Sequence, residues 1–472
     1  MKQVEDPLTK LLDKWEQHTY TSTTWTQKAY TKIFEKFQYA EPCNIEEEYP
    51  DLWDFATKVV LHEYSYMQNS MILPVQATTK NIDSTPAFPK FLLYDSEADY
   101  LEHEGWKEYV ELWNAKNRKK ICWWVFLKNE TLKKEKVENN DIRMIMCTDP
   151  VFTRFGAAFD EHQNQLMKMR TETHQAQVGW TPFYGGLTTR LKRLEQKGNQ
   201  FIEMDWTRFD GTIPRELFHH IKLIRWFFHD PTYKTQENYQ RYKWYIENLE
   251  NKIVLLPTGE VTVVNKGNPS GQISTTTDNN MINTWLTAFE VAYQYHQATG
   301  RIPTVEDYYK NVDSICYGDD RVLSVNPDWL EYNKEMVPDM YKNIFGMWVK
   351  PQNVKTSNTL EGMSFCGMTF SKLKGGFYIG IPNVEKILST IEFPVRRLPN
   401  IESLWGKLIS LRLLCNYASS EVKDYLDKQI HKVQEYCRSE NIELPEVPNG
   451  TYDLVWTGGP KSSHGSQTSE RA

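Results

Sequence analysis

Tyr317-Gly318-Asp319-Asp320 decides the reading of this chain. Two adjacent carboxylates stand at a glycine turn between two short β-prone runs, Val312 to Cys316 and Val322 to Val325, so the pattern reads strand, turn, strand. Adjacent acids repel each other and resist desolvation. A turn that presents both therefore suggests a compensating cation, most naturally an oxygen-preferring one such as Mg²⁺. The same four residues also fit a solvated polar hairpin tip, and the tetrapeptide alone does not choose between the two.

Working outward, a second acidic strand precedes this hairpin. In Phe201 to Trp206, Ile202, Met204 and Trp206 fall on one face, while Glu203 and Asp205 share the other with Phe201. Apolar residues beneath and carboxylates above suit the floor of an open cleft. The strand runs into Thr207-Arg208-Phe209-Asp210-Gly211, and a helix comes next with Pro214 in its first turn and Leu217, Ile221, Ile224 and Phe228 as its buried stripe. Between the two acidic stretches lies Asn268-Pro269-Ser270-Gly271-Gln272, leading into a long helix from about Thr275 to Ala298 that Gly300 closes. Thr275, Asn279 and Asn283 recur at i, i+4 and i+8, giving either a polar line able to read hydroxyls or a plain solvated helix face.

Composition bounds the alternatives. The 472 residues exceed one small core and accommodate two or three subdomains. With 40% apolar, 13% aromatic and 25% charged residues the expectation is an ordered soluble protein. Seven cysteines without a CxxC or Cys/His cluster speak against a disulfide framework or a zinc site and for a reducing compartment. The longest strongly apolar stretch, Ile121 to Leu127, is far too short to span a membrane, and Met1 to Lys14 carries no signal-peptide core. The net charge of −7 conceals segregation: from Lys116 to Lys136, eight Lys or Arg face only Glu130 and Glu135. Such a run attracts phosphate or forms a solvated charged face.

Elsewhere the chain predicts a Thr/Ser/Pro-rich loop from Ala77 to Pro89 and helices over Ala98 to Lys119, Phe152 to Met169, Leu187 to Gln196 and Leu330 to Phe345. It further predicts a strand at Ile142 to Met146, a loop ending at Lys355, and a hairpin from Ser364 to Phe370 and Phe377 to Ile381. Asn383 to Asn441 reads as helical throughout, and Thr457 to Ala472 as a disordered tail. Asp205 and the Asp319/Asp320 pair can meet on one sheet edge and hold two divalent ions, the arrangement of nucleotidyl transfer.

Taken in order, Asp205 to Asp210, Ser270-Gly271 with Thr275 and Asn279, Tyr317-Gly318-Asp319-Asp320, Lys355, and Phe365-Cys366-Gly367-Met368 resemble motifs A to E of the RNA-dependent RNA polymerases of positive-strand RNA viruses. The resemblance is closest to the picornavirus and calicivirus group. The wording of Asp205 to Pro214 and of Ser274 to Asn280 points to the astroviruses within it. Upstream, Lys128, Lys136 and Arg143 are similar to the basic motif F, and Asp83 to Pro89, with Ser84, Thr85 and Pro86, to the template-channel motif G.

That resemblance implies an α+β right hand whose antiparallel palm sheet is backed by helices and closed by fingers extensions. By the same resemblance, fingers take residues 1–200 and 231–265, palm 201–230 and 266–382, thumb 383–456, with a tail at 457–472. It implies two Mg²⁺ ions, for which Mn²⁺ substitutes, held by Asp205 and Asp319, with Asp320 secondary and the Trp206 carbonyl an additional ligand. In the family's roles, Asp210 accepts a ribose 2′-OH where reverse transcriptases place a bulky aromatic, and Asn279, Thr275 and Ser270 complete that contact while Gly271 lets the loop bend. Arg143, Lys136 and Lys128 grip the triphosphate. Lys355 is the candidate general acid, Lys350 being the alternative. Phe365, Cys366 and Gly367 brace the primer. The implied partners are RNA template and nascent RNA, NTPs, a genome-linked protein primer and other viral replication proteins. The implied location is the host cytoplasm at membrane-associated replication complexes, reached through partners because the chain shows no anchor. Two rival readings stand: a reverse transcriptase, against which Asp210 and the Ser270-Gly271 loop with Asn279 speak, and a non-catalytic RNA-binding scaffold, against which the three acids speak.

Overall fold

The structure is a computed structural model that describes residues 7–36 and 44–458. In chain order its strands are β1 (Tyr20–Ser22), β2 (Cys122–Leu127), β3 (Thr131–Lys133), β4 (Met144–Cys147), β5 (Phe201–Thr207), β6 (Lys252–Leu255) and β7 (Val261–Val264). They continue with β8 (Val312–Tyr317), β9 (Asp320–Val325), β10 (Trp348–Ser357), β11 (Ser364–Phe365), β12 (Met368–Lys372) and β13 (Tyr378–Pro382). With helices before, between and after them, the class is α+β, as expected.

The central sheet has the order β10-β5-β9-β8 and is antiparallel throughout. Its β8–β9 hairpin closes on the pair Tyr317↔Asp320, leaving Gly318-Asp319 as a two-residue loop. Gly318 has φ +60°, a conformation that glycine adopts without a Cβ penalty. One face of β5 is covered along its length, and the other only at its first residue, with Asp205 exposed. Ile202, Met204 and Trp206 enter the main core, whereas Phe201 joins Leu187, Leu191 and Leu194 of the Gly186–Glu195 helix.

The Thr275–Thr299 helix backs this sheet, and every residue from Thr277 to Ala292 is buried. It lies against the Pro50–Glu63 helix, where the Trp53 and Trp285 rings meet edge to face at 4.9 Å. Buried charges beneath the sheet are paired rather than isolated. Arg321 of β9 meets Glu290 at 2.9 Å, and that carboxylate also accepts from the hydroxyls of Tyr341 (2.7 Å) and Tyr332.

A second sheet, β4-β2-β6-β7, joins segments more than a hundred residues apart through the parallel pair β2–β6. At the C-terminal end, the helices Val384–Glu392, Ile401–Leu414 and Ser420–Ser439 build a separate apolar core around Leu404, Leu408, Leu426 and Val433. Leu8, Leu11, Leu12 and Trp15 from the beginning of the chain pack onto that core, and Asp13 pairs with Lys432 at 2.6 Å. No helix among the described residues is long and apolar enough to cross a membrane.

Several expected elements differ. The helix expected over Ala98 to Lys119 is two helices, Glu97–Glu104 and Lys107–Asn114, interrupted at Gly105-Trp106. Pro214 is the N-cap of the Arg215–Phe228 helix rather than a residue of its first turn. Over Leu330 to Phe345 helical structure begins only at Lys334 and passes through 3₁₀, α and π turns. The loop expected to end at Lys355 is instead the edge strand β10; Pro351 masks it in the sequence but is tolerated at an edge, where a bulge absorbs it. The region from Asn383 to Asn441 is not continuous helix: Pro394 and Pro399 separate its first two helices. Thr457 ends the Thr451–Thr457 helix and Gly458 caps it, so the tail does not begin there; residues 459–472 lie outside the described residues.

Glu63, on the Pro50–Glu63 helix, accepts from the Gln175 amide (2.9 Å) and the Tyr309 hydroxyl (2.9 Å). Burial pushes its carboxyl up to about 7. The folded protein therefore retains a proton that the unfolded chain releases, and this stability is present at low pH and lost as pH rises through about 7. Glu63→Gln is expected to flatten the decline of the thermal midpoint between about pH 4.5 and 7. Parallel declines in parent and variant would contradict the assignment.

Candidate active site

Strand register brings the acids together. Glu203 of β5 lies across from Val322 of β9, and continuing that pairing sets Asp205 opposite Asp320, with Asp319 at the adjoining turn. Burial pushes Asp320 up to about 7, with the charges of Asp319 and Asp205 adding to it. Burial likewise raises Asp319, again with Asp205 contributing. The Asp320 Oδ2 accepts the Cys366 N–H at 2.6 Å, and Glu203 Oε2 accepts the Ser364 N–H at 2.6 Å. Two carboxylates thereby tie the tight β11–β12 turn, Cys366-Gly367, to the central sheet. Among the described residues no three His, Cys, Asp or Glu side chains are drawn together as a ready metal-ligand cluster. The donor chemistry still suits a hard cation: Asp205, Asp319 and Asp320 are oxygen donors near enough to feel one another's charge, and a cation would relieve both that charge and the cost of burial, which is the larger cause of the raised Asp319 and Asp320.

The long helix holds this hairpin through asparagines. Asn280 Oδ1 accepts the Gly318 N–H (2.6 Å), and Asn283 Nδ2 donates to the Gly318 and Asp320 carbonyls (2.9 and 3.3 Å). One turn earlier, Asn279 Nδ2 donates to Asp210 Oδ1 at 2.7 Å. Burial, followed by the Asp319 charge, pushes Asp210 up to about 6. Arg208, at φ +51°, turns the chain out of β5 into the short Phe209–Thr212 helix that carries Asp210. Asn279 and Asn283 of the polar line are thus buried and bonded, with Thr275 half-buried, so the line is not a solvated face.

The remaining expected residues occupy specific places. Thr275 is committed locally, its hydroxyl donating to the Pro269 carbonyl (2.8 Å), and Ser270 Oγ accepts the Met146 N–H of β4 (3.1 Å). Gly271 is required for close approach: a Cβ there would lie 2.0 Å from the Met146 carbonyl oxygen. The Trp206 indole stacks edge to face on Phe209, with Arg321 over its ring. Lys355 lies on the carboxylate face of the sheet, 3.9 Å from Glu203. Lys350 is in the bulge between Val349 and Val354, which spans Asp205. Ser84 and Thr85 are exposed while Pro86 is buried. Phe365 is buried against Trp180.

Arg143 carries the largest surprise. Its guanidinium makes a bidentate pair with Glu130, at 2.9 and 2.7 Å, and Lys128 approaches the same carboxylate at 3.5 Å. Arg143 also feels the charges of Asp210 and Asp319, which places it at the site, whereas Lys136 is exposed on the Lys134–Glu138 helix. In the sequence Glu130 stands only as an acid diluting a basic run, and Asn280 lies one residue off the i+4 line. Only the tertiary arrangement reveals either role.

Comparison with known proteins adds the family. Residues 1–430 match a family model described as viral RNA-dependent RNA polymerase. The non-structural polyprotein 1AB of Turkey astrovirus 2 is 56% identical over 459 residues, covering 96% of this chain and 28% of the relative. That of Avian nephritis virus 1 is 53% identical over 460 residues, covering 96% and 30%, and that of Human astrovirus-5 is 42% identical over 475, covering 98% and 32%. The chain therefore spans about a third or less of the length of these curated relatives.

Gly271→Ala is expected to lower stability by about 1–3 kcal/mol in chemical denaturation, because β4 or the loop must move aside. An unchanged midpoint would show that the approach to Met146 is not tight.

Proposed function

Because the chain belongs to the viral RNA-dependent RNA polymerases, we propose that it synthesises RNA on an RNA template, the 3′-oxygen of the growing strand attacking the α-phosphorus of an NTP and pyrophosphate departing. The observation that carries the reading is the β5–β9 register, whose last pair Glu203↔Val322 directs Asp205 toward Asp320, with Asp319 at the adjoining turn. Asp205 and Asp319, with Asp320 and the Trp206 carbonyl, would hold two Mg²⁺ or Mn²⁺ ions, which supply activation of the attacking oxygen and charge stabilisation of the pyrophosphate.

The other roles fall to the chain's own side chains. Asp210, oriented by Asn279, accepts the ribose 2′-OH. Ser270 and Thr275 shape the loop beside it through bonds to β4 and to Pro269. Arg143, with Lys128 and Lys136, receives the triphosphate, and the pull of Asp210 and Asp319 on Arg143 supports its presence there. Lys355 donates the proton to the leaving pyrophosphate, with Lys350 the alternative. The Phe365-Cys366-Gly367 turn, fixed by Asp320, braces the primer, and Ser84, Thr85 and Pro86 meet the template.

In this reading residues 201–230 and 266–382 are palm, 1–200 and 231–265 fingers, and 383–456 thumb. Strand β2 pairing with β6 supports joining the two fingers segments, and Leu8 to Trp15 on the C-terminal core supports closure of fingers on thumb. A genome-linked protein primer, other viral replication proteins and membrane-associated complexes in the host cytoplasm complete the proposal.

Asp319→Ala is expected to abolish Mg²⁺- or Mn²⁺-dependent extension of a primed RNA while leaving RNA binding largely intact. Undiminished extension overturns the catalytic assignment, and preference for deoxyribonucleotides would favour a reverse transcriptase instead.

A further inference from the structure

Asn279 turns the amino end of its amide to Asp210, whose carboxylate accepts it, and its buried neighbours hold that orientation. Asp278, one residue earlier, is ion-paired with Lys222 (2.7 Å) and Arg225 (2.8 Å), so its carboxylate only accepts hydrogen bonds. Gln272 must therefore turn its amino group toward Asp278, and Nε2 donates to Asp278 Oδ2 at 2.9 Å. The same nitrogen donates to Asn268 Oδ1 at 2.6 Å. Asn268 then presents Nδ2 to Asn279 Oδ1, at 2.9 Å, which leaves Asn279 Nδ2 as the donor to Asp210. All four residues from Asn268 to Asn279 in this chain of contacts are buried, so solvent offers no substitute partner. The backbone closes the circuit: the Asn268 N–H donates to the Asp210 carbonyl at 2.6 Å.

We propose that Asn268 and Gln272 are positioning residues for recognition of the ribose 2′-hydroxyl. Acting through Asn279, they transmit the fixed polarity of a buried ion cluster to Asp210 and set which of its lone pairs face the sugar. Neither residue touches the nucleotide. The inference rests on reading Asp210 and Asn279 as the ribose contact.

The test compares kcat and KM for a ribonucleotide and its 2′-deoxy counterpart on one primed RNA template. Asn268→Asp keeps the shape but removes the donor to Asn279. It is expected to lower the ribo-to-deoxy ratio of kcat/KM at least about tenfold, mainly through KM for the ribonucleotide. Gln272→Met, one contact further away, is expected to shift the ratio the same way by a smaller factor, and it carries the test should the first variant fail to fold. Equal losses with both nucleotides, or an unchanged ratio in both variants, overturn the relay. Asn279→Ala separates the layers: an unchanged ratio there means that the ribose reading itself has failed, whereas a lowered ratio beside unchanged N268D and Q272M ratios means that only the relay has.

Discussion

The antiparallel pairing of β5 with β9 is the constraint on which the site depends. Its register, continued past Glu203↔Val322, brings Asp205 toward Asp320 from segments more than a hundred residues apart, and Asp320 feels the Asp205 charge, an arrangement that like charges resist. The opposition is offset below the sheet, where Ile202, Met204 and Leu323 are fully or almost fully buried and Arg321 is neutralised by Glu290. Burial of apolar residues at about 25 cal/mol per Å² readily exceeds the repulsion of partly solvated carboxylates. The charge on one face is thus sustained by packing on the other.

The Thr275–Thr299 helix converts that sheet into a site. A side-chain amide both donates and accepts, so two asparagines three residues apart on one helix can hold a turn by its N–H and by its carbonyls at once. Asn280 and Asn283 do this at Gly318, and Asn279 reaches Asp210 from the same helix. The hairpin and the segment after β5 are consequently referred to one rigid element, and their spacing does not depend on loops.

Much of this was legible in the sequence. The β8–β9 hairpin, the alternation in β5, the Gly300-closed helix and the polar line at Thr275, Asn279 and Asn283 all obey local periodicity, which chain neighbours alone establish. What was not legible depends on distant partners. β10 carries Pro351 and no alternation, and it becomes a strand only because β5 offers an edge. Gly271 was read as a hinge, whereas the Met146 carbonyl gives the reason for glycine. Glu130 looked like dilution of a basic run until folding set it against Arg143.

That last contact has a bearing on selectivity among anions. A guanidinium that already has a fitted carboxylate gains little by exchanging it for another weak monoanion, since one bidentate pair replaces another. A ligand of much higher charge density does gain, and more so because Lys128 leans on the same carboxylate and would be released with it. Under the proposed function, such a clasp would favour a triphosphate over carboxylates and monophosphates.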